Sequence, residues 1–277
     1  MKKELWVATG LFVLVMLGGV YLWISKPAPP LPQPVPAAPA SAVTAPEPAP
    51  SASAVTAEPA TQHPIEVPPS VVALGAADIA PALVELMGRK AVMSFVQTDD
   101  FARRFVATID NLGREHAAPM LWPINPTPER FTVEERKGTT VIAADNSMRY
   151  TPFVLLVETV NVGLAVDLYV RLYPMLQQAY ENLGYAKRHF NDRFIEVIDL
   201  LLSTPDSPEA VPVMLTEIKG PIPSQRPWVR YEFANPAFES LSAGQKMLMR
   251  TGPVNERRLK AKLIEVRQQL LRRSKTR

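Results

Sequence analysis

The chain has 277 residues, 47% of them hydrophobic, with 30 Lys and Arg against 27 Asp and Glu, no cysteine and three histidines. That apolar share suffices for one sizeable core. The missing cysteines exclude disulfide staples and thiol chemistry. His63, His116 and His189 are too scattered for a zinc-finger or H-E-x-x-H site, so no metal or cofactor is implied.

Residues 5–24 are uncharged, with Trp6, Tyr21 and Trp23 near the ends. A bilayer core about 30 Å thick needs about 20 apolar helical residues, so this stretch (domain 1–25) predicts an uncleaved signal anchor crossing the membrane. A cleaved signal peptide wants a shorter apolar run and a small-residue cleavage site. Lys2 and Lys3 precede the stretch, whereas Lys26 alone follows it until Arg89. The positive-inside rule then puts the amino terminus in the cytoplasm and the rest outside. Residues 26–70 are dense in Pro, Ala, Ser and Thr, too poor in large apolar residues to build a core and too rich in proline for a helix. This reads as a disordered spacer. At about 3.1 Å per residue where extended, it reaches on the order of 100 Å. Its PxxP spacings are what any dense proline tract contains.

Residues 71–277 read as a mainly α domain with a small β-hairpin. Helices are expected over 78–87 and 99–112, the second with Phe101, Phe105, Ile109 and Leu112 on one face and Gly113 at its end. Asp99, Asp100 and Asp110 each precede an arginine (Arg103, Arg104, Arg114) by four residues, the spacing of surface ion pairs. A functional reading makes Arg103 and Arg104 an anion clamp, or makes Arg103, Asp110 and Arg114 a binding stripe. Strands over 131–134 and 139–142 flank Lys137-Gly138, which predicts a hairpin. Asn146 is then expected to cap a helix reaching about residue 160. A further helix runs from 162 toward Gly184, interrupted or kinked at Pro174. Glu158, Asn161 and Asp167 argue against a second membrane span here, because charges in a lone lipid-exposed helix cost about 2.5 kcal/mol or more each. Tyr169, Tyr173 and Tyr180 share a face. That face suits sugar stacking and, equally, core packing with its hydroxyls satisfied.

The next helix, to about residue 202, is expected to start at an Asn191 cap with Phe190 and Ile195 as a hydrophobic staple. Its outer face carries Asp192, Glu196 and Asp199, either a solvated row or an acid–base pair. Residues 211–218 and 228–233 are candidate strands. Asn235-Pro236 opens a helix that Gly252-Pro253 closes, with Gln245 placed among apolar neighbours. A buried amide must find partners. Ser242 and Lys246 lie four apart, which departs from the Ser-x-x-Lys of acylating serine enzymes. The last helix, from about 255, has Leu259, Leu263, Val266 and Leu270 on one side. Nine Lys and Arg face two acids over 256–277. It either docks by its stripe or binds an anionic surface.

RRFVATIDNL (103–112), NSMRY (146–150), YPMLQQAYENLGY (173–185), FNDRFIEVIDLLL (190–202) and LSAGQKMLMRTGPVN (241–255) together resemble an uncharacterised group of proteobacterial membrane-anchored proteins, catalogued as a domain of unknown function. The resemblance spans nearly all of 71–270 and includes the anchor and proline-rich spacer. It matches at Arg104, Asp110, Asn111, Asn146, Arg149, Tyr150, Asn191, Asp192, Arg193, Gln245 and Lys246. Gly113 stands where the family's turn has proline. The resemblance implies a location and brings no activity. The candidate binding residues are therefore those positions together with Arg103. The expected function is an inner-membrane-anchored periplasmic interaction or scaffold protein of the cell envelope. Its partners would be an envelope protein or cell-wall polymer, with no nucleic acid. The alternative is a cell-wall hydrolase using Asp192 and Glu196 as acid and base.

Overall fold

The computed structural model describes residues 61–216 and 226–275. The expected anchor and most of the expected spacer lie outside them. The described chain is mostly helical, with two small antiparallel β-hairpins.

The segment from residue 61 onward already belongs to the body. Ile65, Val67 and Leu74 pack on the main core, and the Leu74 N–H donates to the Arg171 carbonyl at 3.1 Å. Helices α1 (Ile79–Met87), α2 (Arg89–Phe95) and α3 (Phe101–Leu112) follow. The α3 periodicity buries Ala102, Val106 and Ala107, while Phe101, Phe105 and Ile109 pack against the same core half-buried.

Strands β1 (Val133–Arg136) and β2 (Thr139–Ile142) pair in register Val133 to Ile142 and Arg136 to Thr139. Lys137 and Gly138 between them both have positive φ, 50° and 76°. That combination makes the two-residue turn whose twist matches a hairpin, and Gly138 supplies it without strain. Strands β3 (Val213–Leu215) and β4 (Tyr231–Phe233) fall inside the two candidate strand stretches and pair with each other as a second hairpin. The two join edge to edge through a Val141–Pro212 bridge and an Ile142 N–H bond to the Val211 carbonyl at 3.0 Å. Val211, Val213, Phe233 and Met249 make the small core beneath.

Helix α4 (Thr151–Thr159) is preceded by a tight helical turn, Ala144–Arg149. Asn146 lies inside that turn and is fully buried, so it does not cap α4 as expected. Helix α5 (Val162–Asn182) opens at Asn161, whose side chain accepts the Leu164 N–H at 3.0 Å, and runs unbroken through Pro174. An internal proline costs about 3 kcal/mol. Nine buried residues on α5, Tyr169, Tyr173, Leu176 and Tyr180 among them, return about 1.5–3 kcal/mol per large side chain, so packing overrides the expected interruption. No single helix among the described residues is long and apolar enough to cross a membrane. Helices α4 and α5 together have the length and composition but bend by 85°, and Val154, Val162, Val166 and Leu172 are buried within the body.

Helix α6 (Phe190–Leu202) starts one residue before Asn191, which is buried and caps nothing. Ile195, Ile198 and Leu201 face inward as expected, and Phe190 is fully buried. The helix expected from 236 to 251 is two pieces, α7 (Pro236–Glu239) and α8 (Ala243–Arg250). Asn235 caps α7 as expected, accepting the Ala237 N–H at 3.0 Å. The break comes from Ser242 and Gln245, which exchange side-chain and backbone hydrogen bonds as a capping box. That S-x-x-Q signal outcompetes continuation of the helix.

Helix α9 (Pro253–Lys275) lies along α4, α5, α6 and α8. Leu270 is fully buried and Leu259, Leu263 and Val266 pack half-buried. The basic side is tied down too: Arg267 to Asp199, Arg273 to Asp167, Arg258 to Glu158 at 3.6 Å, and Lys260 to Asp206 at 3.2 Å. Exposed pairs contribute about 0–1 kcal/mol each, whereas the apolar stripe carries the docking. Leu270→Ala is expected to lower stability by about 2–5 kcal/mol and Arg273→Ala by less than about 1 kcal/mol. Urea midpoints of the two variants check the order.

Candidate functional site

Asp110 is the centre of the densest polar cluster. It sits in the last turn of α3 with 5% of its surface exposed. Its carboxylate accepts from Arg193 Nε at 3.1 Å, Arg114 Nη2 at 2.5 Å and the Tyr185 hydroxyl at 3.2 Å. Arg193 also donates from Nη2 to the Asp110 carbonyl at 3.0 Å and from Nη1 to Glu196 at 2.8 Å. Burial works against the Arg193 charge, but Glu196 and Asp110 outweigh it and raise its pKa above the ordinary value. Asp110, directly beside it, does the same for Arg114.

The guanidinium packs close against Gly113. A Cβ there would lie 2.7 Å from Arg193 Nη2, and that nitrogen is already pinned by the Asp110 carbonyl. Gly113 ends α3 in an ordinary right-handed conformation, φ −80°. Its lack of a side chain serves close approach, not a left-handed cap.

The other candidates fall into separate clusters. Asn146 accepts from the Thr132 N–H at 3.3 Å and Arg149 Nη1 at 3.0 Å, and donates to the Arg250 carbonyl at 3.3 Å. Arg149 also binds the Pro128 and Glu129 carbonyls at 3.0 and 3.2 Å and lies 5.4 Å over the Tyr150 ring. These bonds clip the loop before β1 onto the turn before α4. Asn191 donates to the His63 carbonyl at 2.8 Å and accepts from the Tyr169 hydroxyl at 3.0 Å. Asp192 accepts the Gln62 and His63 N–H groups at 3.1 and 2.7 Å. Together they strap residues 62–63 across the start of α6. Gln245 reaches from its capping box to the Leu200 carbonyl at 3.1 Å and Ser203 Oγ at 3.3 Å, tying α8 to α6. Buried Lys246 donates to the Glu239 carboxylate at 2.8 Å, and Glu239 in turn accepts the Phe233 N–H at 2.8 Å. Burial opposes the Glu239 charge, yet the Lys246 and Phe233 bonds win and lower its pKa.

Two expected groupings do not form. Arg103 is exposed and pairs with Asp100, three residues back and away from the Asp110 cluster. Arg104 pairs with neither Asp99 nor Asp100 through a carboxylate. It donates to the Asp99, Met120 and Trp122 carbonyls at 3.1, 2.7 and 3.4 Å, so no Arg103–Arg104 clamp exists. Asn111 offers its carbonyl to the Arg114 N–H at 3.0 Å. The α6 carboxylates are each engaged by a different partner: Asp192 by backbone, Glu196 by Arg193, Asp199 by Arg267.

Sequence reasoning missed Tyr185, Glu239 and Glu256. Glu256 has 1% of its surface exposed, pairs with Lys260 at 2.7 Å and accepts the Ser207 N–H at 3.2 Å. Its i, i+4 spacing to Lys260 was the available signal, but the basic surroundings made it look solvated.

The family model that matches the chain is a protein of unknown function, DUF3014, over residues 101–267. The chain belongs to this family. The match begins at the first residue of α3 and ends inside α9, so it takes in the Asp110, Asn146 and Gln245 clusters whole and the α6 side of the strap, but not residues 61–100. That is narrower than the span of the sequence resemblance. No curated protein and no solved structure matches.

Asp110→Ala in this DUF3014 member removes the acceptor of Arg193 Nε and leaves Glu196 as the acid still paired with Arg193. Leaving such a partly buried donor unsatisfied costs about 1–3 kcal/mol. Arg114→Ala, at a half-exposed position, should cost less than about 1 kcal/mol. Chemical denaturation of both variants checks the contrast. Burial also pushes the Tyr173 and Tyr180 hydroxyls up to about 12 from 10.0, and Tyr169 well above it. A raised folded-state pKa stabilises fully below the unfolded value and loses that contribution as pH rises through the folded one. Stability should therefore fall between about pH 10 and about pH 12, as read from urea midpoints taken across that range. Midpoints that stay level over those two pH units would contradict it.

Proposed function

We propose that this DUF3014 chain is an interaction module of the cell envelope, anchored in the inner membrane through residues 5–24. In this reading it is single-pass, with its amino terminus cytoplasmic and its body periplasmic. Residues 26–60 act as the spacer that lifts the body off the bilayer. The supports for the location are the uncharged twenty-residue stretch and the excess of Lys2 and Lys3 over Lys26.

The observation that carries the interaction reading is the engagement of the α6 carboxylates. Asp192 holds the incoming chain through two backbone N–H groups, Glu196 holds Arg193, and Asp199 holds Arg267. A general acid and base need to be poised on a reacting group, whereas these three are committed to fastening one segment to another. The same is true of Gln245, Lys246, Asn146 and Arg149. The polar positions thus build a rigid body, and its unspent surface is what a partner meets: an envelope protein or a cell-wall polymer.

The test is photo-cross-linking in growing cells from Met120 and Met148, both strongly exposed. Discrete adducts with an envelope component are expected. Adducts confined to cytosolic proteins would reject the location. Release of fragments from purified murein by the full chain, lost in Asp192→Asn, would reject the interaction module in favour of a hydrolase.

A further inference from the structure

The outward side of α9 is as regular as its buried side. Val254, Arg257, Ala261, Ile264 and Gln268 recur at alternating steps of three and four, and all five are exposed. Leu259, Leu263 and Leu270 pack on the body from the opposite side. Alternating steps of three and four are the seven-residue pattern by which one helix meets another along its length.

Helix α4 widens this side into a two-helix face. Asn255 donates to the Ser147 carbonyl at 2.9 Å and to Thr151 Oγ1 at 3.4 Å, and Arg258 pairs with Glu158 at 3.6 Å, so α4 lies alongside the first half of α9. Met148 and Val254 are chain neighbours of the two residues in the first of these bonds. Leu155 falls between Thr151 and Glu158 along α4. Those three and Ile264 are large apolar side chains left exposed.

The charges on the face narrow what covers it. Ala261 is the small residue at the middle of the α9 row. Four residues before it stands Arg257, whose side chain pairs with no acid of the described residues. Four residues after it stands Glu265, exposed and bound to Lys262 at 3.2 Å, a surface pair worth little. A second α9 running antiparallel and crossing the first at Ala261 puts each Arg257 opposite the Glu265 of the other copy, twice by symmetry. The same crossing sets Val254 opposite Gln268 and brings Ile264 beside the other Ala261, whose short side chain allows close approach. An anionic lipid surface fits this face poorly, because Glu158 and Glu265 stand among its cations. A partner of one charge sign fits poorly for the same reason.

We infer that the α4–α9 face is a two-fold contact between two copies of this chain, with the α9 helices antiparallel and crossing at Ala261. The face is limited to two helices, one of them nine residues long, so the contact belongs with small, concentration-dependent interfaces of less than about 1,200 Å² in total. The inference goes beyond the envelope reading and needs none of it.

The test uses the full chain in detergent micelles, with its molar mass read by light scattering over a concentration series. A monomer–dimer equilibrium is expected. Arg257→Glu and Glu265→Arg, both at exposed positions, each set like charges against one another twice, and should raise the dimer dissociation constant at least about tenfold at unchanged melting temperature. Both changes in one chain restore opposite charges and should recover the original constant. Because the chain has no cysteine, Ala261→Cys supplies a single thiol that mild oxidation should link to its counterpart in the second copy, much faster than Gln178→Cys, exposed on α5. A chain monomeric throughout the series, single reversals without effect, a double reversal no better than the singles, or equal linking by the two thiols would each overturn the inference. So would a monomer that sediments with anionic vesicles and loses this on Arg257→Glu, which assigns the face to lipid. If envelope cross-links persist in any of these events, the interaction reading stands and the pairing alone is discarded.

Discussion

A buried carboxylate at the end of one helix has to be neutralised by a cation from another, and in this fold that requirement brings α3 and α6 together. Asp110 and Arg193 are 83 residues apart, and two hydrogen bonds from Arg193, to the Asp110 carboxylate and to its carbonyl, join the two helices, while Tyr185 in the turn between α5 and α6 donates a third to the carboxylate. Desolvating such charges costs several kcal/mol each, which only this full set of bonds offsets. The pair also dictates its surroundings. Gly113 lets the Arg193 guanidinium come close, since a Cβ there would lie 2.7 Å from its Nη2. Beside it, the Ala243 N–H donates to the Arg114 carbonyl at 2.7 Å, bringing α8 onto the same junction.

The remaining polar positions repeat the pattern at other seams. Asn146 and Arg149 close the loop before β1, Asn191 and Asp192 fasten the incoming chain, and Gln245 joins α8 to α6. Each satisfies backbone groups that would otherwise be buried without partners, a penalty of about 1–3 kcal/mol apiece. These residues are hydrophilic for the sake of assembly.

Much of the local architecture was legible in the chain. The α3 stripe, the Lys137-Gly138 turn, the Asn235 cap and the apolar side of α9 are periodic or positional signals spanning a few residues. The sequence reading went astray where a local signal met a stronger force. Pro174 spoke for a break or a kink, and α5 packing carried the helix through without a break. Asn146 and Asn191 each had the form of a cap, but burial gave their amides partners more than 100 residues away. Asp192, Glu196 and Asp199 looked like one row, and each found a different partner. The capping box at Ser242 was readable, and the longer apolar stripe obscured it.

By itself the sequence determined a mainly helical body with a β-hairpin after a proline-rich tract, the positions of most helices, and the absence of thiol chemistry. These follow from side-chain periodicity, turn stereochemistry and composition, which act over a handful of neighbouring residues. Only the tertiary structure decided that Asp110 belongs to Arg193, that the second hairpin joins the first, and that α9 docks with Arg258, Lys260, Arg267 and Arg273 paired to acids of the body. Those outcomes depend on which buried groups come within hydrogen-bonding distance. Such distances are set by the packing of helices far apart along the chain, not by spacing within it.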